Sequence, residues 1–322
     1  MDEAELSELP ELDFALIREH AEVVIEQRPD ARSLYQRWEK QAWSAQEIDL
    51  GQDGKDWSEE LPERSRKRLK SVIAALIIGE YTAVELLGPI IGSAPDEDSL
   101  VFLGTQMSDE SRHTVFVSRV AEEVLGMEGD LRGLLPQAWS LLSPASRALN
   151  GLEASISREL SDNPGDYGSW IRAVTMFHLV TEGILALDGQ RTLVHALDRV
   201  RSLPGVRTGF TAMTRDESRH IGFGMEALRT GVAEGHSDEI VDVLEKAVPL
   251  AVHIDAPSHG GLEGSDWSTA ERTARRLRSV TRRRLRLCGL EEKAIEHLEL
   301  LSLTPPPELS GELAPHPRDL QG

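Results

Sequence analysis

The sequence Asp-Glu-Ser-Arg-His occurs twice in this chain, at residues 109–113 and again at residues 216–220. Each copy places a glutamate three residues before a histidine, so both side chains leave the same face of a helix, one turn apart. Both copies also fall on the apolar stripe of their segment. A carboxylate and an imidazole directed into a helical core are costly to bury unless they are paired or bind a metal. The repeat therefore predicts four inward-facing metal ligands: Glu110, His113, Glu217 and His220.

Two further acidic residues lie on the apolar faces of the helices predicted to precede each copy. Glu80 comes 30 residues before Glu110, and Glu182 comes 35 residues before Glu217. These spacings let antiparallel neighbouring helices bring their mid-helix positions to one level. Four carboxylates and two imidazoles are hard oxygen donors with borderline nitrogen donors, a set that suits iron or manganese. The sequence thus predicts a site for two metal ions between four helices, as in ferritin-like bundles.

Glu85 and Glu153 are the alternatives to Glu80 as the first ligand. Glu85 points about 140° away from Glu80 by helical geometry. Glu153 follows the first copy of the repeat, which is out of order for a ligand from a preceding helix. A single Glu-x-x-His is usually a surface pair, but two copies in register with acidic residues on partner helices favour the metal site.

Residues beside the predicted ligands invite weaker predictions. Asp109 and Asp216 are expected either to accept the second N–H of a ligand histidine from the adjacent helix or to lie in solvent. We expect Arg112 and Arg219 to form ion pairs on the helix surface. His178, one turn before the second partner glutamate, either borders a substrate cavity or is a hydrogen-bonded structural histidine, and we prefer the latter.

Composition limits the classes of function. The chain has 322 residues, 40% of them hydrophobic, which is ample for a large core. Its net charge of −20 argues against nucleic acid or an anionic membrane as the main partner. The one cysteine, Cys288, fits a reducing compartment. The acidic N-terminus is unlike a signal peptide, and the longest apolar run, residues 72–78, is too short to span a bilayer. We expect a cytoplasmic protein without a membrane span.

The distribution of turn residues and the absence of strand alternation predict an all-α fold: a ferritin-like helical bundle with additional flanking helices. We predict an N-terminal arm of short helices at 1–60, the metal-binding bundle at 61–302 and a disordered Pro-rich tail at 303–322. The predicted longer helices cover residues 62–92, 96–126, 136–160, 167–196, 207–235, 237–253 and 269–287.

The order of the predicted ligands resembles the ribonucleotide reductase small-subunit superfamily. Finer matches resemble its ligand-binding oxidase branch: Trp-Ser-Ala-Gln-Glu-Ile-Asp at 43–49, Val-Thr-Glu-Gly-Ile-Leu-Ala at 180–186 and Asp-Glu-Ser-Arg-His-Ile-Gly-Phe-Gly at 216–224. The similarity covers roughly residues 33–290. It implies an Fe/Fe or Mn/Fe centre that activates dioxygen, a small-molecule, fatty-acid-like ligand beside the metals, and a homodimer.

Three positions depart from the family pattern. The resemblance places Val117 where the small subunits proper carry a radical-forming tyrosine. Phe177 stands where the oxidase branch has the tyrosine of a tyrosine–valine crosslink, and Thr82 stands at the position of the valine. We therefore predict an oxidase or oxygenase that acts on a bound organic substrate. The alternatives are a radical-generating small subunit of a ribonucleotide-reductase-like complex and a metal- or ligand-binding bundle without turnover.

Overall fold

The structure is a computed structural model that describes residues 9, 12–200, 202–255 and 267–303. Over these residues the backbone forms helices and no strand, which confirms the predicted all-α class. The α-helices are α1 (Phe14–Glu26), α2 (Ala31–Lys40), α3 (Gly51–Lys55), α4 (Glu63–Gly92), α5 (Glu97–Arg119), α6 (Leu131–Leu141), α7 (Pro144–Asp162), α8 (Tyr167–Val174), α9 (Leu187–Val200), α10 (Pro204–Ala233), α11 (Ser237–Val252), α12 (Trp267–Leu287) and α13 (Glu292–Leu301).

The chain divides into two compact units, of which the first comprises Met1–Leu87, Glu97–Leu141 and Ala186–Gly222. In this unit α2 packs along α5, and a 3-10 turn at Ala45–Glu47 also contacts α5. The side chain of Asp30 begins α2 by accepting a hydrogen bond from a backbone N–H of the first turn, as an N-cap residue does. The unit therefore brings part of the N-terminal arm against the helix that carries the first Asp-Glu-Ser-Arg-His copy.

The arm also holds the N-terminus of α10, the helix with the second copy. Asp53 accepts hydrogen bonds from the backbone N–H groups of Val206 at 2.7 Å and Gly205 at 3.0 Å. Asp56 accepts one from the backbone N–H of Leu203 at 2.8 Å. The first N–H groups of a helix have no partner within the helix, and they attract negative charge. These two buried carboxylates therefore fix where α10 begins.

The second unit comprises Gly88–Asp96, Leu142–Leu185 and Phe223–Gly322. Its helix α11 packs against α7, α8, α12 and α13. The indole N–H of Trp170 on α8 donates to the backbone oxygen of Ile90 at 3.1 Å. Most of the large side chains on α11 are buried, so this helix forms the centre of the unit as described.

Three predicted helices differ from the structure, one of them, over 96–126, only in that its last part, Val120–Val124, is π-helical. The prediction of one helix over 136–160 is wrong, because α6 and α7 are separate: the side chain of Ser143 caps α7, and Pro144 occupies its first turn. The helix predicted over 167–196 is interrupted by a π-helical segment, Thr175–Ala186. A π-segment inserts an extra residue into a helix turn and is common at functional sites.

The predicted domain boundaries near residues 60 and 302 stay predictions. The tail predicted at 303–322 lies, except for Leu303, outside the described residues, as do residues 1–8 of the arm. Two helical stretches have the length and composition of membrane spans, Glu63–Gly92 and Tyr167–Leu197, but 50% and 78% of their most apolar windows are buried inside the protein. Such burial is typical of the core helices of a bundle.

Candidate metal centre

Five of the six predicted ligands lie together in the first unit, and all five are buried. They are Glu80 on α4, Glu110 and His113 on α5, and Glu217 and His220 on α10. The three-residue spacing in each Asp-Glu-Ser-Arg-His copy places the glutamate and the histidine of one helix side by side. The structure thus brings together three carboxylates and two imidazoles from three helices.

Glu110 lies between the two imidazoles. Its Oε2 is 3.5 Å from Nδ1 of His113, and its Oε1 is 3.1 Å from Nδ1 of His220. Oε2 of Glu80 is 3.4 Å from Nδ1 of His113. Glu217 places Oε2 3.5 Å from Nδ1 of His220 and Oε1 3.9 Å from Nδ1 of His113. Both histidines therefore direct Nδ1 at the carboxylates, and one carboxylate faces both of them.

This donor set fits a pair of transition-metal ions. Ligands bound at about 2.1 Å to one ion lie about 3 Å apart when they are at right angles, which is close to the spacings in the cluster. Oε1 of Glu110, Nδ1 of His113 and Oε2 of Glu217 are buried and, in spite of these short distances, form no well-aligned hydrogen bond to any described residue. Such an unsatisfied atom costs about 1–3 kcal/mol. Coordination to a metal would satisfy all three.

Each histidine directs its other ring nitrogen to an aspartate on the opposite helix. Nε2 of His113 on α5 is 3.2 Å from Oδ2 of Asp216 on α10, and Nε2 of His220 on α10 is 3.2 Å from Oδ2 of Asp109 on α5. A carboxylate at this position accepts the N–H of Nε2 and leaves the lone pair of Nδ1 for a metal. The aspartate of each copy of the repeat therefore binds the histidine of the other copy.

A buried guanidinium joins the two aspartates. Nη2 of Arg219 donates to Oδ2 of Asp109 and to Oδ1 of Asp216, both at 2.7 Å. Arg112 also reaches Asp109, with Nη1 2.9 Å from Oδ1. The prediction of surface ion pairs is wrong for Arg219, whose side chain is 1% exposed, because the N-terminal arm covers this face of α10. Two buried carboxylates at close range require such a cation.

Burial and the neighbouring charges shift the pKa values of the cluster. Burial raises the pKa of Glu80 to about 8 against the opposing effect of His113. Burial alone would raise the pKa of Asp216, but Arg219 and His113 hold it well below its ordinary value. Burial alone would lower the pKa of His113, but Asp216 and the nearby glutamates raise it well above the ordinary value. Protons and metal ions therefore compete for the same atoms, and metal binding weakens as the pH falls.

Several side chains that contact the cluster could not be predicted from the sequence around them. Nε2 of Gln190 donates to Oε1 of Glu217 at 3.1 Å, and its Oε1 accepts a hydrogen bond from Thr214 at 3.0 Å. The indoles of Trp38 and Trp43 donate to the two aspartates. The spacing rules that select ligands act within one helix, whereas most of these contacts join residues far apart in the chain.

Glu182, the remaining predicted ligand, belongs to the second unit, on the π-segment, where it is 3% exposed. His178 and Phe177, on the same segment, are also buried. The ring centre of His178 lies 5.5 Å from that of Phe223. A Cβ on Gly224 would overlap the side chain of His178. This close packing explains why residue 224 is a glycine, and it agrees with a structural role for His178.

The two alternatives to Glu80 lie elsewhere. Glu85 is exposed on α4 and accepts a hydrogen bond from the hydroxyl of Tyr81 at 2.7 Å. Glu153 is buried in the second unit on α7, where Thr181 donates to its Oε1 at 2.8 Å. Burial raises the pKa of Glu153 to about 7.

An all-α fold with carboxylates and imidazoles clustered in its interior defines a ferritin-like helical protein with a candidate dinuclear metal site. Residues 23–256 match the model of the family described as ribonucleotide reductase, small chain, and the protein belongs to this family. This confirms the resemblance found in the sequence.

Curated relatives share about a quarter of the aligned residues. One ribonucleoside-diphosphate reductase small subunit from Arabidopsis thaliana is 24% identical over 225 residues, which cover 67% of this chain and 62% of that protein. The small subunit from African swine fever virus, isolate Tick/Malawi/Lil 20-1/1983, is 28% identical over 231 residues, 70% of this chain and 66% of that protein. The chain thus matches less than two thirds of the length of these relatives.

Similar solved structures are R2-like ligand-binding oxidases. The oxidase from Sulfolobus acidocaldarius has a TM-score of 0.66 at 20% identity, covering 85% of this chain and 94% of that one. A variant of an R2-like ligand-binding oxidase with an anaerobically reconstituted Mn/Fe cofactor has a TM-score of 0.67 at 20% identity, covering 82% and 93%. At this identity the similarity shows the fold, which confirms the ferritin-like bundle.

Proposed function

We propose that this protein binds two metal ions, Mn/Fe or Fe/Fe, and acts as a dioxygen-activating oxidase or oxygenase on a bound organic substrate. The position of Glu110 between Nδ1 of His113 and Nδ1 of His220 carries this proposal. A carboxylate with one oxygen toward each imidazole is suited to bridging two ions. The cluster in the first unit offers oxygen and nitrogen donors without a thiolate, which favours iron or manganese over structural zinc.

In this proposal Glu80, His113, Glu217 and His220 would hold the two ions, together with Glu110, which faces both imidazoles. The sequence order of the predicted ligands makes Glu182 the candidate for the sixth. Its burial, its place on a π-segment and the order of ligands along the chain support this assignment.

When bound, the metal pair would supply the electrons and the Lewis acidity that dioxygen reduction requires. The contribution of the chain itself is positional and electrostatic. Asp216 and Asp109 hold the Nε2–H groups of His113 and His220, so each Nδ1 is directed inward. Burial of the cluster excludes water. Burial raises the pKa of Glu80 to about 8, so a proton competes with a cation for this carboxylate.

Two positions favour oxidation of a bound substrate over a stored protein radical. Val117, at the place where the resemblance sets the radical tyrosine, is fully buried and has no phenol, and neither does the buried Phe177. The similar solved structures are named as ligand-binding oxidases, two of them with Mn/Fe. We propose a small-molecule, fatty-acid-like ligand on this basis. Family membership keeps the radical-generating subunit as the second candidate.

We also propose a homodimer in the cytoplasm. Helix α5 leaves Leu100, Val101 and Val115 exposed at 45%, 53% and 42%, and a second copy of the chain would cover such apolar side chains. The free, buried thiol of Cys288 suits a reducing compartment.

Anaerobic reconstitution with manganous and ferrous salts tests the metal site. We expect two ions per chain by elemental analysis, and loss of both in Glu110→Ala because the bridging carboxylate serves both sites. Glu85→Ala, an exposed acidic residue on α4, is the matched control and should retain two ions. A wild-type protein without bound metal, or a Glu110→Ala variant with two ions, contradicts the proposal.

Addition of dioxygen to the loaded, reduced protein separates the candidate functions. An oxidase consumes dioxygen in proportion to its metal pairs and oxidises the ligand that co-purifies with it. Absence of uptake by the loaded protein favours the binding bundle without turnover. Dependence of a nucleotide-reducing activity on a large partner protein favours the radical-generating subunit.

A further inference from the structure

Gln190 on α9 places a neutral amide against one oxygen of a candidate metal ligand. Its Nε2 donates to Oε1 of Glu217 on α10 at 3.1 Å. Both residues lie in the first unit, and their exposed fractions are 0% and 2%. An ionised carboxylate can only accept hydrogen bonds, so the amino group of the amide, and not its carbonyl oxygen, faces Glu217. Because the contact is buried, water does not replace the amide when it is removed.

The hydroxyl of Thr214 holds the other end of the amide. Thr214 lies on α10 three residues before Glu217 and is fully buried. Its Oγ1 is 3.0 Å from Oε1 of Gln190 and 2.8 Å from the backbone oxygen of Phe210, so the hydroxyl proton is shared between two acceptors. Turning the amide over would place its carbonyl oxygen against the carboxylate of Glu217. Thr214 therefore fixes which end of the Gln190 amide faces the candidate ligand.

The two oxygens of Glu217 have different surroundings as a result. Oε1 accepts the hydrogen bond from Gln190. Oε2 is 3.5 Å from Nδ1 of His220 and forms no well-aligned hydrogen bond to any residue in the described part of the chain. A buried acceptor without a donor is costly unless a cation satisfies it. The arrangement thus leaves Oε2 as the oxygen of Glu217 that is available to a metal ion.

We propose that Gln190 is a positioning residue that restricts Glu217 to one metal-binding oxygen, Oε2, an inference that rests on the function proposed above. While Nε2–H of Gln190 occupies Oε1, binding of a metal through both oxygens requires that this buried hydrogen bond be broken. Glu110 differs from Glu217 in this respect, because it directs one oxygen at each of the two imidazoles. The amide therefore gives the two carboxylates different roles at the same centre.

A second threonine on α10 provides a matched control for Thr214. Thr211 is 1% exposed, and its hydroxyl donates to the backbone oxygen of Arg207 at 2.8 Å, four residues before it. Thr214 has the same kind of contact with the backbone oxygen of Phe210. Of the two threonines, Thr214 also contacts Gln190. Replacement of either hydroxyl removes a backbone contact, and replacement of the Thr214 hydroxyl also releases the amide.

The side-chain amide resonances of ¹⁵N-glutamine-labelled, metal-free protein test the contacts of Gln190 without any metal. A hydrogen bond to a carboxylate moves an N–H resonance downfield, and Glu217→Ala identifies the signal by moving it back. We expect Thr214→Val to shift the same signal, Thr214→Ser to restore it and Thr211→Val to leave it unchanged. These variants retain Gln190, so the test stays decisive if Gln190→Met fails to fold. A signal that neither Glu217→Ala nor Thr214→Val moves would overturn the positioning role.

Infrared difference spectra of ¹³C-glutamate-labelled protein, with Mn²⁺ minus without it, test the binding mode. The antisymmetric and symmetric carboxylate stretches lie further apart when one oxygen binds a metal than when both do. We expect Gln190→Met to narrow this separation and to weaken Mn²⁺ binding about 10- to 100-fold, the usual effect of losing a residue that supports a metal ligand.

Thr211→Val should keep the wild-type spectrum and affinity. A Gln190→Met spectrum identical to that of the wild type, with wild-type affinity, would overturn the inference. A wild-type protein that binds no Mn²⁺ refutes the proposed function instead, and the amide resonances then still show whether Gln190 is held against Glu217.

Discussion

The two copies of Asp-Glu-Ser-Arg-His carry the same side chains into different surroundings on α5 and α10. Their glutamates, histidines and aspartates are buried alike, but the side chain of Arg112 is 14% exposed whereas that of Arg219 is 1% exposed. Ser111 is exposed and Ser218 is buried. Gln41 of the N-terminal arm covers the second copy, where its side chain binds Arg219. A local sequence therefore determines which residues share a helix face, while distant segments determine which faces are covered.

The largest difference between the copies is expected at their arginines. Arg219→Gln leaves Asp109 and Asp216 as buried carboxylates without the cation that bridges them, and we expect a loss of about 3–5 kcal/mol in the free energy of unfolding. Arg112→Gln removes a partly exposed partner of the same aspartates and should cost about 1 kcal/mol or less. Urea denaturation of the metal-free variants measures both values. Equal losses would show that the two copies are equivalent in spite of their different burial.

This contrast also shows what the sequence could and could not predict. The inward-facing glutamates and histidines of the two copies can be predicted from the sequence, because a three-residue spacing and an apolar stripe are properties of one helix. The burial of Arg219 cannot be predicted in this way, because Gln41, which covers it, lies 178 positions away in the chain. The break between α6 and α7 was a different case. Ser143 followed by Pro144 is a local helix-start signal, and the apolar periodicity on both sides of it concealed the break.

Glu153 is a buried carboxylate that contrasts with Asp216 of the second copy. No described arginine or histidine lowers the pKa of Glu153. Burial raises its pKa from an ordinary 4.5 to about 7 against the hydrogen bond from Thr181. The folded protein therefore keeps this proton to higher pH than the unfolded chain. The stability that this protonation contributes is fully present below pH 4.5 and is lost as the pH rises through about 7.

We expect Glu153→Gln to remove this dependence on pH. Relative to the wild type, the variant should gain up to about 3 kcal/mol in unfolding free energy between pH 4 and pH 8, because the neutral amide never has to be buried as an anion. Urea denaturation at a series of pH values measures the difference. Parallel curves for the two proteins would mean that Glu153 ionises normally in the folded state.

A glycine on each of the two helices tests how closely they are packed. A Cβ on Gly209 of α10 would overlap the ring of Phe116 on α5, whereas nothing lies within 4 Å of a Cβ on Gly104 of α5. Gly209→Ala should therefore destabilise the protein by about 1–3 kcal/mol through overpacking. Gly104→Ala should stabilise it by up to about 1 kcal/mol, since alanine favours an exposed helix position. Thermal unfolding of both variants shows whether each substitution raises or lowers the stability. Stabilisation by Gly209→Ala would mean that α5 and α10 are more loosely packed than described.

The smallest expected difference lies at the serines of the two copies. Ser218 is buried and donates to the backbone oxygen of Arg215 at 2.6 Å, while Ser111 is exposed and donates to that of Met107 at 2.8 Å. Water replaces the lost hydrogen bond at Ser111 but cannot reach the buried site. Ser218→Ala should therefore cost about 1 kcal/mol, and Ser111→Ala should stay within about 0.5 kcal/mol of the wild type. Paired urea titrations resolve this difference. If the two serine variants prove equally stable, water reaches the second copy as readily as the first, and the arm does not seal that face of α10.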